Sequence, residues 1–120
     1  MLTALLFRFP FPGPWGKELT EAVHELARDI ANEYGLVWKI WLENCETGHA
    51  GGIYLFEHAA AAELYREKHG RRLSAMGITG VMANAFSVNT ELSVLTMARA
   101  ALGDAGASKS TSAATAAIPS

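Results

Sequence analysis

The apolar residues follow two different periods along the chain, and the places where the period switches mark the elements. Residues 2–9, LTALLFRF, are dense in aliphatic and aromatic side chains and stop at PFPGPWG, where Pro10, Pro12 and Pro14 offer no donor to a strand ladder or a helix interior. A first strand and a stiff connector follow. Over residues 17–34, Leu19, Val23, Leu26, Ile30 and Tyr34 recur at the helical period opposite Glu21, Glu25 and Arg28, which predicts one amphipathic helix closed by Gly35. LVWKIWLE and GGIYLFE then read as two strands, joined by NCETGHA with Gly48 in the loop. The stretch HAAAAELYREKHGRRLSAMG is helical by composition, with Ala61, Leu64, Tyr65 and Lys68 on one side. Leu73 falls opposite Leu64, so a break at Gly70 is expected, followed by a short turn holding Leu73 and Met76. ITGVMANAFSV supplies a fourth strand. NTELSVLTMARAAL starts a last helix at Asn89 or Thr90, with Leu92, Leu95, Arg99 and Leu102 along one side.

The order β-α-β-β-α-β predicts an α+β, ferredoxin-like subunit with an antiparallel four-stranded sheet. The domain is expected to span residues 1–102, including a C-terminal helical arm at 90–102, and the Ala/Ser/Thr-rich tail 103–120 is expected to be disordered. Two helices cover one face of such a sheet, and the other face should carry polar side chains. Here it does not. Trp38, Ile40 and Leu42 alternate with Val37, Lys39, Trp41 and Glu43; Ile53 and Leu55 alternate with Tyr54 and Phe56; Val81, Ala83 and Ala85 alternate with Met82, Asn84 and Phe86. Apolar patches beyond roughly a few hundred Å² mark interaction surfaces, so a second copy of the chain is expected to cover the second face and form an obligate homodimer.

Half of the 120 residues are hydrophobic, enough for one buried core. A net charge of −2 from 10 basic and 12 acidic residues, without long runs, argues against nucleic acid or an anionic membrane as partner. Cys45 is the only cysteine, which excludes an internal disulfide and a Cys-rich metal site and makes a reducing cytoplasm the expected location. MLTALLF lacks the basic start and the cleavage pattern of a signal peptide, and no apolar run approaches the ~18–20 residues of a membrane span. There is no HExxH, glycine-rich phosphate loop or G-x-S-x-G pattern, so metalloprotease, nucleotide and α/β-hydrolase readings lose their usual support.

Taken together, VWKIWLE, AGGIYLF, the A-x-x-Y-x-x-K-H pattern of Ala62, Tyr65, Lys68 and His69, RRL and FSVNTELS resemble the YdhR-type monooxygenase family of the dimeric α+β barrel superfamily. The resemblance runs from the first strand to about Leu102. It implies a homodimer whose sheets form a barrel, a small-molecule cavity between sheet and helices, and oxygenation with no metal or flavin cofactor. Triplet oxygen attacks a closed-shell molecule only once that molecule is an electron-rich anion, so the site must ionise its substrate, hold the anion and exclude water.

His69, Tyr65 and Asn84 are the catalytic candidates. His69 would serve as base or anion partner, one turn after Tyr65; alternatively it sits at a helix C-terminus and is favoured by the dipole there. Tyr65, Tyr54 and Asn84 would donate hydrogen bonds, and Asn84 in an apolar strand is costly unless it is satisfied. Trp38, Trp41, Tyr54, Phe56 and Phe86 would bind the substrate, a small aromatic or polycyclic ionisable molecule, with the hairpin register deciding which tryptophan faces the pocket. Lys39 could steady an anion, though the plainer reading has it snorkelling or pairing with an acid across the barrel. His24, His49 and His58 are expected in solvent, His49 in the loop and His58 at a helix start. Two other readings stand beside this one: a haem protein with His69 as axial ligand, and a small-molecule-binding module without catalysis.

Overall fold

A computed structural model describes residues 1–103. The elements run β1 (Thr3–Pro10), α1 (Gly16–Ala22), α2 (His24–Ala31), β2 (Leu36–Asn44), β3 (His49–Phe56), α3 (Ala59–Ala75), β4 (Met82–Ser87) and α4 (Thr90–Leu95), followed by a 3-10 turn at Ala100–Leu102. The four strands form one antiparallel sheet in the order β2-β3-β1-β4, as the ferredoxin-like reading requires. The tail expected to be disordered lies, beyond Gly103, outside the described residues.

Alternation along β1 sorts the sheet into two faces. Leu5, Phe7 and Phe9 point toward the helices and pack with Tyr54, Phe56, Ile30, Ala61, Tyr65 and Leu73 in the main core. The opposite face holds a smaller cluster of Leu2, Leu55, Val94 and Leu102, with Val37 and Trp38 packed against it. The chain's own C-terminal arm therefore covers one corner of the face that was expected to await a second copy. The rest of that face carries Leu6, Ile40, Leu42, Met82 and Phe86, all exposed.

Several expectations are corrected. The single helix over 17–34 is two helices, interrupted at Val23, whose φ of −111° and ψ of 15° leave the helical basin. No side chain of α1 is buried, whereas α2 is anchored by Ile30, so tertiary packing holds the second segment and not the first in a common line. The hydrophobic period runs on across the break and so conceals it. Conversely, α3 passes through Gly70 without a break. Its buried face is Ala61, Ala62, Tyr65, His69 and Leu73, while Leu64 is 61% exposed. Centring the expected stripe on Leu64 and Lys68 rotated it, and Leu73 then looked out of phase. His69 is accordingly mid-helix, not a C-terminal residue. The arm is not one continuous helix: Leu92 and Leu95 are exposed, Val94 and Leu102 are buried, and Met97 with φ 74° turns the chain between two short helical pieces. His49 opens β3, paired with both Pro10 and Asn44, and is not a loop residue.

Two local devices set what β2 and β3 present. Pairing of β2 with β3 shifts by one between Leu36 and Trp38, leaving Val37 as a bulge residue. Leu36 stays with the helix-side core, and after the bulge the parity is reversed, so Lys39 and Trp41 face the helices opposite Tyr54 and Gly52. The paired glycines of β3 make this possible. A Cβ on Gly51 would lie 1.9 Å from the Phe7 carbonyl oxygen, and one on Gly52 would lie 2.7 Å from Cε of Lys39. Gly51 thus permits β1 to approach, and Gly52 leaves the groove in which the lysine stem lies.

Candidate functional site

The side chains that face the helices from β2 and β3 meet those that face the sheet from α3. Lys39, Trp41, Tyr54, His69 and Leu73 line a cavity of about 60 Å³ between sheet and helices, closed by apolar residues of α1, α2 and the connector. Tyr65 stacks on His69 with ring centroids 5.0 Å apart, and Phe7 meets the imidazole edge-on, also at 5.0 Å. Tyr54 is 4.9 Å from Tyr65 and 6.0 Å from His69, so aromatic rings enclose the imidazole.

His69 is 3% exposed, and its protonation state can be derived from its partner. Arg72 Nη1 lies 3.0 Å from His69 Nδ1. A guanidinium only donates, so Nδ1 accepts and the ring proton sits on Nε2. Burial, then the positive charges of Lys39 and Arg72, hold the imidazole down to a pKa of about 3. Arg72 is itself held at 3.5 Å by Glu33, which also takes Lys68 at 2.9 Å. At neutral pH His69 is therefore a neutral donor through Nε2–H, and its one lone pair is occupied.

Lys39 is the second unusual group. Its Nζ sits 3.3 Å from the centroid of the Trp41 ring and 4.6 Å from that of Tyr54. Burial, and secondarily the Arg72 charge, bring its pKa down from 10.5 to about 7. The two ring faces work the other way, since they favour the ammonium, but such contacts are worth about 0.5–2 kcal/mol and return only part of what burial removes. Among the described residues no carboxylate pairs with Lys39. Glu43, two places on along the same face, accepts a bond from the Gly16 amide at 2.7 Å.

The phenols complete the site. Burial raises the pKa of Tyr54 and lifts that of Tyr65 to about 12, so both remain protonated donors. The Tyr65 hydroxyl is buried with no aligned hydrogen-bond partner among the described residues, although it lies close enough to Tyr54 for each to perturb the other. Tyr65 does not itself line the small cavity, so this hydroxyl lies behind the wall formed by Tyr54 and His69.

Of the residues predicted for the site, His69, Tyr65, Tyr54 and Trp41 come together, with Phe56 beside them at 5.4 Å from Tyr65. Trp38, Asn84 and Phe86 do not join them. Trp38 stands on the opposite face and donates from Nε1 to the Ala101 carbonyl of the arm. Asn84 and Phe86, paired with Leu6 and Ala4, share that exposed face. The acid partner expected for Lys39 is not found among the described residues, and Arg72 and Glu33 were not singled out from the sequence. The available signals were a lysine set between two tryptophans and an arginine three residues after His69, one helical turn away.

A larger hollow of about 420 Å³ lies on the open face near Leu6, Arg8, Leu42 and His49, and it holds none of the buried titratable groups. The small cavity instead adjoins an outer hollow of about 590 Å³ beside the proline connector. Phe11, Met76 and Ile78 line both and form the partition between them. The space beside His69 as it stands is too small for a haem, as it is for any polycyclic molecule, and Nε2 is the only ring nitrogen left to bind one. Among the described residues there is no cluster of His, Cys, Asp and Glu able to hold a metal ion, and no helix is long and apolar enough to cross a membrane.

Fold and site define a ferredoxin-like α+β protein with an aromatic, proton-donating cavity between its sheet and helices. Residues 4–99 match the family described as "Putative mono-oxygenase ydhR", and the chain belongs to that family. A monooxygenase-like role is thereby its coarse function. Two solved structures share the fold. The Rv0793 protein of Mycobacterium tuberculosis is 15% identical with a TM-score of 0.53, over 73% of this chain and 95% of that one. SnoaB, described as a cofactor-independent oxygenase from Streptomyces nogalater, is 17% identical with a TM-score of 0.53, over 73% of this chain and 93% of that one. No curated protein matches the chain.

Proposed function

We propose that the protein is a cofactor-independent monooxygenase acting on a small, ionisable aromatic or polycyclic molecule in the cavity lined by His69, Tyr54 and Trp41. The observation that carries this reading is the state of His69: a neutral imidazole, buried among rings, whose remaining hydrogen-bonding group is a donor. Such a donor, with the protonated Tyr54 phenol that also lines the cavity, suits an oxygen that becomes negative as the substrate ionises. Of the two roles considered for His69, anion partner fits and base does not. For a substrate methylene the stoichiometry is that one atom of O₂ enters as a carbonyl oxygen, while the other leaves as water with the two substrate hydrogens. The substrate supplies all the electrons. Family membership and the described activity of SnoaB point the same way.

The cavity as it stands admits only water-sized molecules, so a substrate must displace the partition of Phe11, Met76 and Ile78. The same reading includes a second copy of the chain on the exposed face of Leu6, Ile40, Leu42, Met82 and Phe86. Oxygen uptake with anthrone or a naphthoquinol, using metal-free and flavin-free protein, tests the activity. Turnover that falls by ~10²-fold or more in His69→Phe supports it, and no uptake by wild type over several such substrates refutes it.

A further inference from the structure

The proposed reaction needs a group to take the substrate's proton, and His69 cannot supply it: Arg72 occupies one nitrogen and the other carries the hydrogen. The titratable groups lining this space are Lys39 on β2, Tyr54 on β3 and His69 on α3; Tyr65 and Arg72 of α3 touch His69 from behind that lining, and Glu33, just past α2, holds Arg72. Helices α1 and α2 and the break between them present only Leu19, Leu26 and Val23 to it. The two phenols keep their protons, Arg72 only donates, and Glu33 is engaged by Arg72 and Lys68. One candidate acceptor is left.

We propose that Lys39 is the base of this site and that the substrate it serves is a weakly acidic phenol or enol, whose proton the amine takes while His69 Nε2–H donates to the oxygen anion that results. The inference rests on the oxygenase reading and extends it. Three features of the fold support it independently of any titration. The Val37 bulge turns Lys39, in place of Trp38, toward the helices. The missing side chain of Gly52 leaves the space through which the lysine stem runs. The amine ends over the Trp41 ring in the same cavity as His69, with no carboxylate paired to it among the described residues.

The step balances simply. An O–H bond of the substrate breaks, its proton forms an N–H bond on Nζ, and the electron pair stays on oxygen, delocalised into the ring or enol carbon that meets O₂. Two neutral groups become a contact ion pair, so the ammonium holds the anion it has generated. A lowered lysine pKa is consistent with an amine able to start the cycle uncharged near neutral pH.

Trp41 provides a reporter that needs no substrate, because an ammonium 3.3 Å from its ring perturbs its emission. A pH titration of wild-type fluorescence is expected to show a transition near neutral pH that disappears in Lys39→Met and in Trp41→Phe. Oxygen uptake with anthrone, which reacts through its enol, should rise through the same midpoint once the enzyme-free rate is subtracted. It should fall by ~10²–10⁴-fold in Lys39→Met and also in Lys39→Arg, which keeps the charge but cannot accept a proton. Uptake that survives in Lys39→Met overturns the proposal and leaves the oxygenase reading standing. A Lys39-dependent transition absent below pH 9 overturns it as well. If wild type shows the titration and consumes no oxygen, the oxygenase reading fails, and the substrate assigned to Lys39 fails with it.

Discussion

Arg72 fixes the chemistry of the site by a single directional bond. Because its guanidinium donates to Nδ1, it sets the tautomer of His69, and its charge helps to keep the ring neutral. In Arg72→Met the imidazole pKa should rise from about 3 yet stay below the ordinary 6.5, since burial is the larger cause and remains. Nitrogen-detected NMR of the His69 ring reads this directly. The same shift predicts acid sensitivity. The folded state keeps His69 unprotonated where the unfolded chain would take up a proton, so the stability it provides above pH 6.5 is lost as pH falls toward 3. On the order of 3–4 kcal/mol is at stake, a large part of a small domain's stability, and denaturant midpoints measured from pH 7 to pH 4 should fall accordingly.

Lys39 carries the same sign at higher pH. Its folded pKa is depressed, so its contribution to stability is complete above 10.5 and is lost as pH falls through that value to about 7. Lys39→Met should therefore be more stable than wild type at neutral pH, by on the order of 1–3 kcal/mol once partial exposure is allowed for, with the gap closing toward pH 10.5. Chemical denaturation of both proteins at pH 7 and pH 10 checks the prediction. A group that destabilises its own fold and lies beside a cavity is a candidate for function, and that is the thermodynamic mark expected of a base.

At the scale of elements, β2 and β3 bring the site together through a bulge and a pair of glycines. Gly51→Ala should separate β1 from β3, because the new methyl meets backbone that cannot turn aside, and a loss of about 3 kcal/mol or more is expected in thermal or denaturant unfolding. Deleting Val37 removes the extra residue. The ladder then runs unbroken from Leu36 opposite Phe56 to Trp38 opposite Leu55 and Lys39 opposite Tyr54, so Lys39 should stay inward and oxygen uptake should persist while circular dichroism remains that of an α+β fold. At the partition, Met76→Ala should widen the passage from the outer hollow and raise kcat/KM for a tricyclic substrate more than for a bicyclic one.

For the whole molecule, the exposed face is the feature still to be accounted for. The arm covers the corner around Leu2 and Trp38, but Ile40 and Phe86 remain 49% and 57% exposed. If a second copy covers them, sedimentation at micromolar concentration should give about twice 12.9 kDa, and Ile40→Lys combined with Phe86→Lys should yield a monomer. A wild-type particle that stays at the single-chain mass would end the dimer reading while leaving the His69 site intact.

The strand and helix order was legible in the sequence because it depends on local periodicity, and two apolar faces on one sheet were legible for the same reason. His69 could be named as a candidate from its spacing to Tyr65, since residues four apart share a helical face whatever the surroundings. The centre of that face could not be read: Leu64, an apolar residue that stays 61% exposed, turned the stripe away from Leu73. The position of Lys39, the exclusion of Trp38, Asn84 and Phe86, and the tautomer of His69 were decided by tertiary structure alone. A one-residue bulge inverts every side chain beyond it, and an arginine-to-imidazole bond depends on three-dimensional approach, so neither leaves a period in the chain.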